Sequence, residues 1–312
     1  YKSRMQKILI TGGFGYIGSK LILHLKNKYK FIILEHPNAT KPKFLKNVKV
    51  IRADITKSSQ IKKLRIKNIS VVLHLAAQSS GPKSFSIPVE DVKKNLIGTI
   101  NTINLCKNNK IKRIIYASSF VVYGDSKKQK LDENLKCNPK SVYATTKYAS
   151  ELMLKNYAEP QGINWNILRM YNVYGLGQDL SNPQTLVGIS LKMINEKKII
   201  EVKGSLERFR DIIEISDVVS GWEKCIIKGK KNQIYNLGTG KKTTFRKLIN
   251  TILKVLNKKN LKIVQKGKTM GDVKGSFADL KKIAKDLKFK PKLTLKEGIK
   301  QIYDQEILKI KK

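Results

Sequence analysis

The stretch that most limits how this chain can fold is Gly12-Gly13-Phe14-Gly15-Tyr16-Ile17-Gly18. It follows a short apolar run, Gln6 to Thr11, and opens an apolar-periodic segment, Ser19 to Asn27. Strand, glycine turn and helix in that order make the opening unit of a parallel α/β sheet. Gly12 permits the tight turn, Gly15 lets the backbone approach a pyrophosphate, and Gly18 lets the helix pack on the strand. The phosphates are expected at the helix N-terminus, where Tyr16, Ile17 and Gly18 present free N–H groups. An ordinary strand-to-helix turn is the competing reading. The position directly after an N-terminal strand favours dinucleotide binding over it.

The following segments repeat the alternation. A second strand, Lys30 to Leu34, ends in Glu35, about twenty positions after the glycines, where an acid accepts the adenosine ribose hydroxyls. A carboxylate there repels a 2′-phosphate, so NAD is expected rather than NADP. A third strand, Val48 to Ala53, runs into Asp54 and Ile55, placing a carboxylate toward the adenine amine. A fourth, Ser70 to Ala77, ends in the small residues Ala76 and Ala77, across which a cofactor can lie. His74, within that apolar strand, reads as a core residue. Residues 78 to 88 read as a polar loop at the carboxyl end of the strand, where ligands bind in such sheets. Ser79 and Ser80 there offer hydroxyls to a substrate. A helix from Val89 to Asn108 carries Asn95 in its middle. A fifth strand, Arg113 to Ala117, delivers Ser118 and Ser119, and a sixth, Trp165 to Met170, ends at Tyr171-Asn172. Beyond Gly175 the alternation lapses. Ile212 to Ile215 and Gln233 to Leu237 read as strands returning to the first domain, and helices dominate from about Thr244. No internal repeat interrupts the chain.

Residues 141 to 158 read as a helix with Ser141 at its entry and Ala149, Leu152, Met153 and Tyr157 at apolar helical spacing. Tyr143 and Lys147, four apart, share one face. A free phenol titrates near pH ~10 and is a poor base at neutrality. A fixed cation beside it favours the phenolate, so Lys147 is expected to lower Tyr143, helped by a bound cationic cofactor.

A 312-residue chain with 41% hydrophobic residues buries a sizeable core. Its net charge of +41 invites a nucleic-acid reading. Only 8 of the 64 basic residues are arginine, and the lysines are spread along the whole length, so neither nucleic acid nor a membrane is expected as a partner. No apolar run approaches the ~20 residues a bilayer crossing needs. No signal peptide is read, and Tyr1 to Arg4 are set aside as foreign to the fold. Cys106, Cys137 and Cys225 show neither paired nor metal-ligand spacing, which suits a reducing cytoplasm.

Together these motifs resemble the extended short-chain dehydrogenase/reductases, specifically the NAD-dependent epimerase/dehydratase family of nucleotide sugars. The carriers are Thr11 to Gly18, His74-Leu-Ala-Ala77, Asn95, Ser118 to Gly124, Tyr143-x-x-x-Lys147, Arg169-Met-Tyr-Asn172 and Arg208-Phe-Arg-Asp211. The resemblance implies a Rossmann-type, doubly wound parallel α/β sheet with a smaller, mostly helical C-terminal substrate lobe. The NAD domain is expected over 5–172 with 211–240 returning to it, and the lobe over 173–210 and 241–312. The resemblance implies catalysis by Ser119 (or Ser118, one position away), Tyr143 and Lys147, with Lys147 also on the nicotinamide ribose. Asn95 and Tyr171 would serve the cofactor. Asn172 and Arg210 would hold the diphosphate of a nucleotide-sugar substrate, with Asp272 near its ribose. A cytoplasmic homodimer built on a four-helix contact is expected by analogy.

Two positions depart from the family pattern. Phe120 and Val121 follow the catalytic hydroxyl where dehydratases carry an acid pair, which argues for a 4-epimerase over 4,6-dehydration. A second phosphate-binding arginine near Gly271-Asp272 is missing. A 4-ketoreductase or another epimerase of the same fold is the alternative, and a catalytically silent dinucleotide-sensing or RNA-binding member a more remote one.

Overall fold

The computed structural model describes residues 5–196, 199–258, 261–267 and 275–307. The chain divides into two compact units: 1–124 with 137–169 and 221–235, and 125–136 with 170–220 and 236–312. This differs from the sequence expectation at four places, one being that residues 236–240, read as returning to the NAD domain, belong to the second unit. Residues 125–136 leave the first unit because Lys130–Leu131 pairs with Phe277–Ala278. Ile212–Glu214 pairs in parallel with Asn172–Tyr174 instead of joining the main sheet, so only the stretch from Gly221 returns. Residues 170–172, read as the end of the NAD domain, belong to the second unit.

The first unit is organised on a seven-stranded sheet of β1 (Lys7–Thr11), β2 (Lys30–Glu35), β3 (Lys49–Arg52), β4 (Ile69–His74), β5 (Arg113–Ser119), β6 (Asn164–Met170) and β7 (Gln233–Leu237). Their order is β7-β6-β5-β4-β1-β2-β3. β1 pairs in parallel with β2 and β4, β2 with β3, and β4 with β5. The strand order reverses between β1 and β4, which fixes a crevice at the carboxyl ends of those strands. The strands read as continuous apolar runs because both faces are covered. Leu9, Val72, Ile114 and Ile167 are fully buried in one cluster with Leu105 and Leu154 from the helices.

Helices α1 (Tyr16–Leu25), α2 (Gly98–Asn108) and α3 (Val142–Met153) pack in this unit. Residues 78–88 are not all loop: Ser80 caps a short helix, Gly81–Ser86. The expected helix over 89–108 is interrupted, with a wider π-type turn at Val92–Ile97 around Asn95. α3 starts at the Ser141 cap, as expected, and gives way to a π turn at Leu154–Ala158. Its inward face differs from the sequence reading. Ala144, Thr146, Lys147, Ser150 and Glu151 are buried, whereas Leu152 is exposed. Hydrophobic periodicity failed there because the buried face is polar and satisfied by partners.

The second unit holds helices Leu186–Glu196, Phe245–Val255 and Leu295–Ile302 around Leu191, Ile252 and Ile302. Thr294 and Glu297 close a capping box at the last of these. The unit also contains short strands: a four-stranded sheet with Phe209–Arg210 inside it, and the pair Ile199–Lys203 with Lys262–Lys266.

Candidate active site

The glycine turn closes as its sequence requires. Gly12 takes φ +70°, and a Cβ there would lie 2.7 Å from the Ala76 backbone. A Cβ on Gly18 would lie 2.4 Å from the Gly12 carbonyl. Gly15 caps α1 with no side chain over it, leaving the first N–H groups of the helix for an anion. Glu35 sits at the carboxyl end of β2, accepting from the Phe14 N–H (3.0 Å) and the His36 N–H (3.1 Å). That holds an acid beside the turn, where a ribose diol would be read. Asp54 is turned inward locally, accepting from the Thr56 N–H and hydroxyl at 2.8 Å each. The Ile55 carbonyl accepts from Asn101 Nδ2 at 2.7 Å. Ala76 and Ala77 are half-buried, with the Ala76 N–H donating to Thr11 Oγ1 at 3.2 Å. Any side chain at Gly12 would run into the Ala76 backbone, and at Gly18 into the turn itself, so the turn closes only around glycine. The donor-rich turn and the nearby acid fit a dinucleotide.

The carboxyl end of β5 and the buried face of α3 assemble the reactive groups. Ser119 lies beside the Tyr143 phenol and eases its ionisation, and Lys147 Nζ donates to the Ala117 carbonyl at 2.8 Å. Lys147 Nζ stands 4.8 Å from the Tyr116 ring centre and 5.9 Å from that of Tyr143. Ser118, one residue earlier, points the other way and donates to Glu151 Oε1 at 2.5 Å. Strand alternation separates the two hydroxyls, and Ser119 is the one at the phenol.

The electrostatics run differently from the sequence expectation. Burial pushes the Tyr143 phenol up to about 12, with the Ser119 hydrogen bond drawing it down and Asp91 adding to the rise. Burial also lowers Lys147 to about 8, against the pull of Asp91 and Glu151. Lys147 therefore does not acidify Tyr143 in this structure. Its ammonium is spent on a carbonyl, and loss of water outweighs the charge at this separation.

Further residues complete the site. Glu151, which the sequence did not single out, lies one helical turn past Lys147 and receives Arg169 Nε (3.0 Å) and a second guanidinium nitrogen (2.6 Å). Arg169 also stacks on Tyr123, with its Cζ 4.6 Å from the ring centre. The 143/147/151 spacing was the available signal. Asn95 is spent internally, accepting from the Gln78 N–H (2.8 Å) and donating to Asp91 (2.9 Å) and Thr146 Oγ1 (3.0 Å). It therefore fixes the segment after β4 instead of presenting a free amide. His74 bridges Thr11 and Thr99, and burial lowers it to about 3, so it is a neutral core residue as read. Ser79 is exposed, and Ser80 Oγ accepts from the Lys83 N–H at 3.3 Å.

The remaining candidates lie in the second unit. The Tyr171 N–H donates to the Leu237 carbonyl at 3.0 Å, and Tyr171 is buried. Asn172 Nδ2 donates to the Asp211 carbonyl at 2.9 Å. Arg210 is lowered to about 10 by burial and the neighbouring Arg208. Asp272 lies outside the described residues.

Known proteins are similar to this chain over much or all of its length. A putative UDP-glucose 4-epimerase of Methanocaldococcus jannaschii is 35% identical, over 95% of this chain and 96% of its own. A dTDP-D-glucose 4,6-dehydratase of Dictyostelium discoideum is 29% identical, over 75% of this chain and 58% of its own. The crystal structure of UDP-glucose 4-epimerase from Thermotoga maritima with UDP-glucose superposes with a TM-score of 0.90 at 28% identity, covering 98% of this chain and 100% of that one. That of the Thermus thermophilus UDP-glucose 4-epimerase with NAD gives 0.85 at 26% identity, covering 96% and 98%. Residues 8–238 match the sequence pattern of the NAD dependent epimerase/dehydratase family, and with the glycine cradle and the Ser119–Tyr143–Lys147 cluster in place, the chain belongs to that family.

Proposed function

We propose that this protein is a nucleotide-sugar 4-epimerase with tightly held NAD, acting on a UDP-sugar. The observation that carries the reading is Ser119 and Tyr143 brought together beside Lys147, with Phe120 and Val121, neither of which can move a proton, following the serine. A 4,6-dehydration needs a base for the C5 proton and an acid for the departing C6 hydroxyl, and Phe120 and Val121 can be neither. Epimerisation at C4 needs one proton-transfer group and one hydroxyl holder, which are present.

Tyr143 takes the proton of the C4 hydroxyl and later returns it. Ser119 donates to the reacting oxygen and stabilises the charge that develops there. When bound, NAD supplies the hydride acceptor and a positive charge that opposes the burial penalty on the Tyr143 phenolate. Lys147, held by the Ala117 carbonyl, adds a second cation at the carboxyl end of β5. Gly12, Gly15, Gly18 and Glu35, all in the first unit, hold the dinucleotide, and within the second unit Asn172 and Arg210 are the candidate diphosphate ligands. A firm grip on the diphosphate with a loosely held sugar lets the 4-keto ring present either face.

The protein is read as cytoplasmic and homodimeric. Among the described residues no helix is long and apolar enough to cross a membrane. Exposed Val89, Val92 and Ile97 on one helical segment and Leu152 on α3 offer apolar area for a second copy. Light scattering showing a monomer at micromolar concentration would remove the dimer from this reading.

The catalytic assignment is tested with Tyr143→Phe. Turnover of UDP-sugars should fall by several orders of magnitude while NAD remains bound, as read from the absorbance of the purified protein. Substantial turnover in that variant would refute the assignment.

A further inference from the structure

Lys147 is buried, and an ammonium carries three donors. Among the described residues it makes one hydrogen bond, to the Ala117 carbonyl at 2.8 Å, and no ion pair. The two carboxylates that favour its charge are taken up elsewhere. Glu151 receives Arg169 and Ser118, and Asp91 receives Gln78, Asn95 and Thr146. What lies over the ammonium is a ring. Lys147 Nζ stands over Tyr116, 4.8 Å from the ring centre, against 5.9 Å for Tyr143. A cation over an aromatic face within about 6 Å is attracted to it, and more strongly where water is excluded. Tyr116 is fully buried, so water is excluded here.

The sheet fixes that ring. Thr11, His74 and Tyr116 are register partners across β1, β4 and β5, so their side chains leave one face of the sheet in a row. Thr11 Oγ1 lies 2.7 Å from His74 Nδ1, and Thr99 Oγ1 lies 3.0 Å from His74 Nε2. The His74 ring, so held, packs on Tyr116 with the ring centres 5.6 Å apart. His74 is neutral, so no second cation stands behind the ring. Tyr116 also directly precedes Ala117, and both contacts to the ammonium therefore come from one strand end. We propose that Tyr116 is a positioning residue whose ring face, with the Ala117 carbonyl, holds the Lys147 ammonium at the carboxyl end of β5 in place of a carboxylate.

This role rests on the proposed function, in which Lys147 belongs to the reactive cluster, but its consequence is measured without substrate or cofactor. Facing Lys147 are Asp91 from the segment before α2, Glu151 and Tyr143 on its own helix, the neutral His74 of β4 and Tyr116 of β5. A ring that binds the protonated amine raises Lys147 against burial. Weakening the ring's negative face should therefore lower the Lys147 midpoint. Loosened packing acts in the other direction, because it admits water and lets the amine climb back toward 10.5. Holding the charge and merely filling space thus differ in sign.

The test titrates protein labelled with 13C at the lysine ε-carbon. Lys147, near 8, stands clear of the surface lysines and is assigned with Lys147→Arg. Tyr116→Phe keeps the ring and should leave the midpoint close to that of the parent. A 3,4,5-trifluorophenylalanine in place of Tyr116 keeps the shape but drains the negative face of the ring. There the midpoint should fall by roughly one pH unit, the size expected for a desolvated cation–ring contact. A singly fluorinated phenylalanine should fall between the two. All three side chains fill the same space, so the core stays packed. Equal midpoints across the series, or a rise with fluorination, overturn the proposal. A stepwise fall in a protein that turns over no nucleotide sugar leaves it standing and sinks only the proposed function.

Discussion

Replacing Lys147 with methionine should separate stability from chemistry. Lys147 is 3% exposed, and its ammonium finds one carbonyl, that of Ala117 at 2.8 Å. Burial lowers the group from 10.5 to about 8. At 1.36 kcal/mol per unit, that depression amounts to about 3 kcal/mol of strain on the protonated form. The sign follows from which state binds the proton more tightly. Below pH 8 both states are protonated and the folded state bears the whole cost. Between 8 and 10.5 the unfolded chain holds more proton than the folded one, so stability rises with pH, and above 10.5 the cost is gone. Methionine removes the charge but leaves the Ala117 carbonyl unpaired, at a cost of about 1–3 kcal/mol. At pH 7 the variant should therefore be as stable as the parent, or more stable by up to about 2 kcal/mol. Near pH 10.5 the order should reverse, with the variant weaker by about 1–3 kcal/mol. Urea unfolding of the cofactor-free proteins at both pH values reads this directly, while turnover should be lost throughout. A deficit at pH 7 as large as that at pH 10.5 would refute the reasoning.

Two further perturbations follow from the site. Arg169→Met strands the Glu151 carboxylate in a dry interior and should cost about 3–5 kcal/mol in urea unfolding, whereas the double change Glu151→Leu with Arg169→Met should recover much of it. Gly12→Ala puts a methyl 2.7 Å from the Ala76 backbone at a positive φ, so the turn must shift. NAD affinity by calorimetry should fall at least tenfold.

The sheet was legible because its strands are unbroken apolar runs that end in small or acidic residues, Gly12, Glu35, Ala76 and Ser119. Those endings mark the carboxyl edge where the site forms. The inward face of α3 was not legible. Thr146, Lys147, Ser150 and Glu151 are buried because hydrogen bonds and Arg169 satisfy them, and hydrophobic periodicity points instead to Leu152, which faces outward. The π turn at Asn95 escaped notice for a related reason, since nothing in Val92–Ile97 marks a wider turn. Two-residue strands such as Phe209–Arg210 and Lys130–Leu131 carry no periodic signal and exist only through their partners. The electrostatic expectation failed on magnitude: neighbour charge was weighed and desolvation was not, and desolvation leads for both Tyr143 and Lys147.

In the proposed reaction a hydride leaves C4 of a nucleotide sugar and returns to the same carbon. Incubating the protein with UDP-glucose in heavy water and following the sugar protons by NMR tests it most directly. The C4 epimer should appear with its C4 hydrogen retained and no deuterium in the ring. Deuterium at C5, or a 4-keto-6-deoxy product, would contradict it.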